Sequence, residues 1–335
     1  MIYSLQGLRT IATLLIFVFH SGFLFVSAFP VTLFFILSGF FYYFTFGGGK
    51  ITLSQSVRYA LRRFVTFYPL YLLTFLMSLF IRHDWLAGRS VEYLMSAVPL
   101  DLLMLKSLFP AYTFQFNGLS WYLSTLLLIY LIAYPFTCFV HRLQSVFGAS
   151  LALVAVMFLQ FVLLSMEVIP SSYTSPFYRV TDFLLGMILA KMYIDGYQFS
   201  MPHVTLISLF LFMLCFVVDL LWQWNSYCLY NSSFVLLILA LLSNPSKLKT
   251  WFEHPLLVKL AAYSFSFYMF HELFLIIFRE LFSTDHFYMG HIRVNMLVMA
   301  VCAFLLTSMA VWLFNKPLNA LSRKLREFSF PRNSN

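Results

Sequence analysis

The chain has 335 residues, 61% of them hydrophobic and only 10% charged, with 42 Phe and 20 Tyr. That composition excludes an ordinary soluble domain and predicts an all-α, polytopic membrane protein. A formal charge of +9 invites a polyanionic partner such as nucleic acid, so the placement of the cations has to decide.

A bilayer-spanning helix needs about 20 apolar residues. Runs of that kind recur at 8–26, 29–46, 64–81, 119–140, 148–168, 177–194, 203–222, 228–243, 259–282 and 294–315. They predict a transmembrane bundle of ten spans. The stretch 93–109 carries Pro99, Asp101 and Lys106, and reads as a short re-entrant or interfacial segment. Ten crossings return both termini to one side. With that side in the cytoplasm, 15 of the 21 Lys and Arg fall on cytoplasmic ends and loops, and Arg82, Arg89, Lys106, Arg179, Arg279 and Arg293 fall on the far side. This is the positive-inside asymmetry, so the charge reports orientation and implies no nucleic-acid partner. Residues 1–318 are expected to form one transmembrane domain and 319–335 a basic cytoplasmic tail. No removable signal peptide is indicated, and the first span is expected to serve as the insertion signal. Cys138, Cys215, Cys228 and Cys302 show no CxxC spacing and read as packing residues.

Leu, Ile and Phe face lipid at no cost, so polar residues at membrane depth carry the information. The first are Arg9 and His20. Eleven residues of helix make three turns plus roughly 20° and rise about 16 Å, which puts both side chains on one face, His20 the deeper. Histidine titrates near neutral pH and suits a general base, while the planar fork of arginine grips phosphate or carboxylate. Spacing alone fits equally a His20 that bonds a neighbouring helix and an Arg9 that snorkels to the interface. Gly47-Gly48-Gly49 gives the following loop flexibility, and Lys50, Arg58, Arg62 and Arg63 give it charge suited to phosphates or to lipid headgroups. Ser38, Ser120, Tyr122, Ser124 and Asp182 suit either a cavity lining or interhelical hydrogen bonds. Arg179 and Asp182, three apart, are placed to pair. His271 and Glu272, with Arg279 and Glu280, form a second polar spot, catalytic, acceptor-binding or structural. Trp85, Trp121, Tyr122, Trp222, Trp224 and Tyr227 suit an interfacial belt, with Trp121 and Tyr122 open to stacking on a sugar.

In order along the chain, Leu5-Gln6-Gly7-Leu8-Arg9 with His20, Phe34-Phe35-Ile36-Leu37-Ser38-Gly39-Phe40, Arg62-Arg63-Phe64 with Tyr68-Pro69, Leu119-Ser120-Trp121-Tyr122-Leu123, Asp182-Phe183-Leu184-Leu185-Gly186, Tyr263-Ser264-Phe265 with Tyr268 and His271, and Lys316-Pro317-Leu318 resemble the landmarks of the acyltransferase-3 family of integral-membrane O-acyltransferases. The chain departs from that pattern at Thr66, where a second arginine is usual, near Thr125, where a carboxylate is, and at Asn315, where a glutamate is. The resemblance implies the stand-alone type without an SGNH domain, in a bacterial inner membrane. It implies transfer of acetyl from acetyl-CoA to a sugar hydroxyl of a polysaccharide or lipid-linked glycan such as O-antigen. Within it, Arg9 and His20 would be catalytic, and Arg9, Arg58, Arg62 and Arg63 would hold the coenzyme. Ser38, Trp121, Tyr122, Asp182 and His271 would line the acceptor site, and no metal is implied. His20 could act as base, or become acylated first. Competing readings are a transporter or flippase of a lipid-linked sugar, for which paired broken helices would be expected, and an acyltransferase with a non-sugar acceptor.

Overall fold

A computed structural model describes residues 2–23, 29–169, 171–197, 203–222, 228–243, 246–281 and 289–330, and among them there is no strand. The helices are α1 (Tyr3–His20), α2 (Phe29–Thr45), α3 (Leu53–Ile81), α4 (His83–Ala87), α5 (Val91–Leu102), α6 (Trp121–His141), α7 (Val146–Ser165), α8 (Pro176–Ile194), α9 (Val204–Trp222), α10 (Tyr230–Ser243), α11 (Lys247–Phe252), α12 (Pro255–Leu260), α13 (Ser264–Leu281) and α14 (Met289–Ser329). Stretches within α3, α6, α7, α9 and α14 are five helices long and apolar enough to cross a bilayer, and α2 and α10 are shorter apolar helices. The chain is a helical membrane protein. Helices α8 and α13 also lie at expected spans but carry Arg179, Asp182 and Lys191, and Glu272, Arg279 and Glu280.

Four helices depart from the expected boundaries: α13 begins at Ser264 and not at 259, α14 runs Met289–Ser329 where a span of 294–315 was expected, and α3 and α1 differ as well. Helix α3 begins at Leu53, eleven residues before the expected span at 64. Thr52 and Gln55 explain the early start: the Thr52 N–H donates to Gln55 Oε1 at 2.8 Å and the Gln55 N–H to Thr52 Oγ1 at 3.2 Å, a reciprocal capping box. Arg58, Arg62 and Arg63 therefore stand on a helix, not in the loop the sequence suggested. Helix α1 ends at His20 instead of running to 26; Gly22 turns the chain with φ +86°, and residues 24–28 lie outside the described set. His20 is thus the last residue of its helix, where a run to 26 would have placed it within one.

The chain divides into two compact units. Unit 1 comprises Met1–Ile16, Phe25–Ser56 and Ile129–Ala262. Within it α2 and α8 touch backbone to backbone, because a Cβ on Gly39 would lie 1.9 Å from the Phe183 carbonyl oxygen and one on Gly186 1.8 Å from that of Ile36. Such close approach is how membrane helices gain van der Waals contact without a hydrophobic driving force. Gly7 meets the Phe252 carbonyl in the same way, at 1.8 Å. Buried at the centre of this unit, Arg179 donates to Asp182 Oδ2 at 2.8 Å and to Thr32 Oγ1 at 3.0 Å, while Asp182 Oδ1 accepts from Gln160 at 2.6 Å and Asn231 at 3.0 Å. The pairing expected from the three-residue spacing is present.

Unit 2 comprises Phe17–Leu24, Val57–Leu128 and Tyr263–Asn335. After α5 the chain forms a compact non-spanning turn built on a buried cation. Lys106 Nζ donates to Asp101 Oδ2 at 2.9 Å and to the carbonyls of Gln115 and Asn117 at 2.9 and 3.0 Å, and Tyr71 donates to Asp101 Oδ1 at 2.7 Å. Burial pulls the Lys106 ammonium below its ordinary range while Asp101 pulls it back up. The three donor positions of an ammonium are all used here.

Candidate active site

Helix α1 supplies the first residue of the site and α13 the second. In unit 2, His20 Nδ1 lies 3.1 Å from His271 Nε2. His271 is fully buried, and its Nδ1 makes a 3.2 Å contact with the Phe267 carbonyl one turn back on α13. Apolar rings wall it in: Phe267 stacks on it at 6.0 Å, while Phe17 and Tyr268 stand at 5.9 and 5.8 Å. On one side of this pair Arg279 closes the constellation, donating to Glu272 Oε1 at 3.3 Å and to the carbonyl of His20 itself. That second bond satisfies a carbonyl at the C-terminus of α1, where helices leave them without intrahelical partners.

The register of α13 is held by the turn that Lys106 organises. Asn117 Nδ2 donates to the Met269 carbonyl at 3.0 Å, and Tyr268 donates to the Leu119 carbonyl at 3.0 Å. Trp121 and Tyr122 follow directly on that turn, only 2% and 8% exposed, so they are interior residues and not a belt. Tyr122 meets Tyr268 edge-on at 5.7 Å, which brings it to the wall of the histidine pair. Among the expected site residues, His20, His271, Trp121 and Tyr122 therefore share unit 2. The side chains of Trp222, Trp224 and Tyr227 lie outside the described set.

Of the remaining expected residues, Arg58, Arg62 and Arg63 also belong to unit 2, and Arg9, Ser38 and Asp182 to unit 1. Arg9 occupies the unit 1 part of α1, as does Ser38 on α2. Asp182 is committed to the buried network with Arg179, Gln160 and Asn231. On α3, the guanidinium of Arg63 lies 4.9 Å from the Tyr59 ring and donates to its hydroxyl at 2.9 Å, while those of Arg58 and Arg62 lie 5.9 and 5.5 Å from the ring of Phe330 beyond the end of α14.

A donor set for a cation also exists here, since one ligand atom each from His20, His271 and Glu272 lies within 4.8 Å of the others. Two imidazoles and a carboxylate are chemically able to bind a divalent ion. A neutral imidazole held by a second one is an arrangement able to withdraw a proton from a hydroxyl. Sequence reasoning singled out both histidines but gave no sign that they meet, nor of the parts played by Lys106 and Asn117. Polar side chains in the non-spanning segment were the signal for those last two.

In comparison with known proteins, a family model for an acyltransferase domain fits residues 2–316. No curated protein and no solved structure matches the chain.

Proposed function

The chain belongs to the acyltransferase-3 family and is a membrane acyltransferase, and on that premise we propose that it moves acetyl from cytoplasmic acetyl-CoA to a sugar hydroxyl of a surface polysaccharide such as O-antigen, at a bacterial inner membrane. The observation that carries the reading is the His20 imidazole paired with His271 at 3.1 Å. In the reaction the sugar oxygen attacks the thioester carbonyl while its proton passes to His20. The C–S bond then breaks and coenzyme A departs as a thiolate, which is reprotonated. A positioned base of this kind contributes about 10² to 10⁴ in rate.

Arg9, Arg58, Arg62 and Arg63 are assigned to the coenzyme phosphates, whose oxygens match the guanidinium fork. A ring beneath Arg58 and Arg62 supports that assignment, because stacking uses the face of a guanidinium and leaves its N–H groups in plane. Trp121 and Tyr122, beside the histidine pair, are assigned with Ser38 to the lipid-linked acceptor. Asp182 is assigned to holding α7, α8 and α10 together instead.

Purified protein supplied with labelled acetyl-CoA and lipid-linked glycan tests the reading. Label is expected to reach the glycan with wild type, and about 10³-fold more slowly with His20→Ala. Equal rates for the two would remove His20 from the chemistry.

A further inference from the structure

The proton positions in the histidine pair follow from its far end. The Phe267 carbonyl can only accept, so the 3.2 Å contact with His271 Nδ1 is made by an N–H on that nitrogen. A neutral imidazole has one N–H, which leaves His271 Nε2 with a lone pair. At 3.1 Å from that lone pair stands His20 Nδ1, which must therefore be the donor. The single proton of neutral His20 is then on Nδ1, and its lone pair is on Nε2.

We propose that His271 is a positioning residue that fixes the tautomer and ring orientation of His20, making His20 Nε2 the atom that takes the proton from the acceptor hydroxyl. This deepens, and rests on, the assignment of His20 as the base. An orienting group behind a catalytic imidazole is usually a carboxylate, which locks the tautomer through Nδ1–H. Here a neutral imidazole does the same work, while the neighbouring Glu272 carboxylate is engaged by Arg279. When His20 gains its second proton at Nε2, the Nδ1–H bond to His271 becomes charge-assisted and stronger. Passing the Nε2 proton to the departing thiolate restores the starting tautomer.

The scaffold around His271 fits a positioning role. The bonds from Asn117 to Met269 and from Tyr268 to Leu119 pin α13 just before His271. Arg279 holds the His20 carbonyl, so backbone and side chain of the base are each tethered to α13. Nothing in that set needs to touch the acceptor.

Two measurements on the full-length protein test this. The first is ¹⁵N NMR of histidine-labelled protein in nanodiscs, with His20 and His271 assigned by their Gln variants. Both are expected to carry the proton on Nδ1, unchanged by a chelator. A proton on His20 Nε2, or a His20 Nδ1 that becomes protonated only after chelation, would overturn the proposal, the latter in favour of a metal site with Glu272. The second is kinetics. His271→Leu is expected to lower kcat about 10²-fold with both KM values within about twofold, and His271→Gln, which keeps an acceptor near the Nε2 position, to recover most of it. A raised acceptor KM at unchanged kcat would make His271 a binding residue and sink the idea. If His271→Leu fails to fold, the NMR result on wild type still decides. Should His20→Ala transfer acetyl as fast as wild type, the base assignment itself fails, whereas the tautomer measurement tests the orienting bond from His271 independently of that rate.

Discussion

His20 Nδ1 meets His271 Nε2 at 3.1 Å although 251 residues separate them in sequence. The backbone of His20 is held by one further side chain, Arg279, which donates to the carbonyl of His20 and to the carboxylate of Glu272. Arg279→Gln is therefore expected to lower kcat about tenfold through misplacement of His20, with donor KM unchanged, since small errors in the geometry of reacting groups are enough for such losses. Steady-state kinetics with acceptor and donor varied separately will read the split.

Lys106 is the second prediction. It is buried with Asp101 and two carbonyls as its partners, so Lys106→Met strands a carboxylate in the interior. Removing one member of a buried pair costs about 3–5 kcal/mol, whereas removing both costs less. Thermal unfolding in detergent should show a large drop for Lys106→Met and a smaller one for Lys106→Met with Asp101→Leu. The single variant should also lose activity, because Asn117, which holds the Met269 carbonyl of α13, belongs to that turn.

Asp182 separates structure from substrate binding. Its oxygens are taken by Arg179, Gln160 and Asn231, and Asp182→Leu leaves Arg179 an uncompensated buried cation, again worth about 3–5 kcal/mol. The double change Arg179→Met with Asp182→Leu should restore most of the stability and show a near-normal acceptor KM per folded molecule. A large KM effect in that stable double variant would return Asp182 to the acceptor site.

The contact of α2 with α8 makes a third kind of prediction. Gly39→Ala and Gly186→Ala each drive a methyl into a backbone carbonyl, which no rotamer relieves, and are expected to cost about 1–3 kcal/mol or more. Gly118→Ala is the control, since nothing lies within 4 Å of a Cβ there and its φ is not positive. Yields of monodisperse protein and unfolding temperatures will compare them.

Phe330→Ala tests the coenzyme assignment. Loss of the ring under Arg58 and Arg62 removes about 0.5–1 kcal/mol of cation–π energy, and the acyl-CoA KM is expected to rise two- to fivefold, a factor derived from that energy. Phe330→Trp should restore it.

Much of this was legible in the sequence because hydropathy reports what a bilayer demands. Helices α2, α6, α7, α8, α9 and α10 lie within about three residues of the apolar runs that announced them, since lipid forces both the length and the composition of a span. The start of α3 was missed because Leu53 to Arg63 is polar helix, stabilised by a Thr52–Gln55 cap and not by burial in hydrocarbon. The end of α1 was missed because a turn at Gly22 interrupts an otherwise apolar run. For the site, individual polar residues stood out, but their partners did not. His271 and His20, or Asn117 and Met269, are joined by tertiary packing over long stretches of chain, and one sequence holds no record of such pairings.

Helix α14 runs unbroken for 41 residues through Pro317. At about 1.5 Å per residue it measures roughly 60 Å, about twice the thickness of a hydrocarbon core, so it behaves as a rigid ruler and not as an anchor with a loose tail. Its far end sets which direction Phe330 faces, and Ser322 fastens the rod to α3 through the Thr66 carbonyl at 2.9 Å. Each residue added after Asn315 would swing that end by about 100°. Length and phase are then separable: one inserted residue misaligns Phe330 with the arginines, while seven return it nearly to the same bearing one heptad further out.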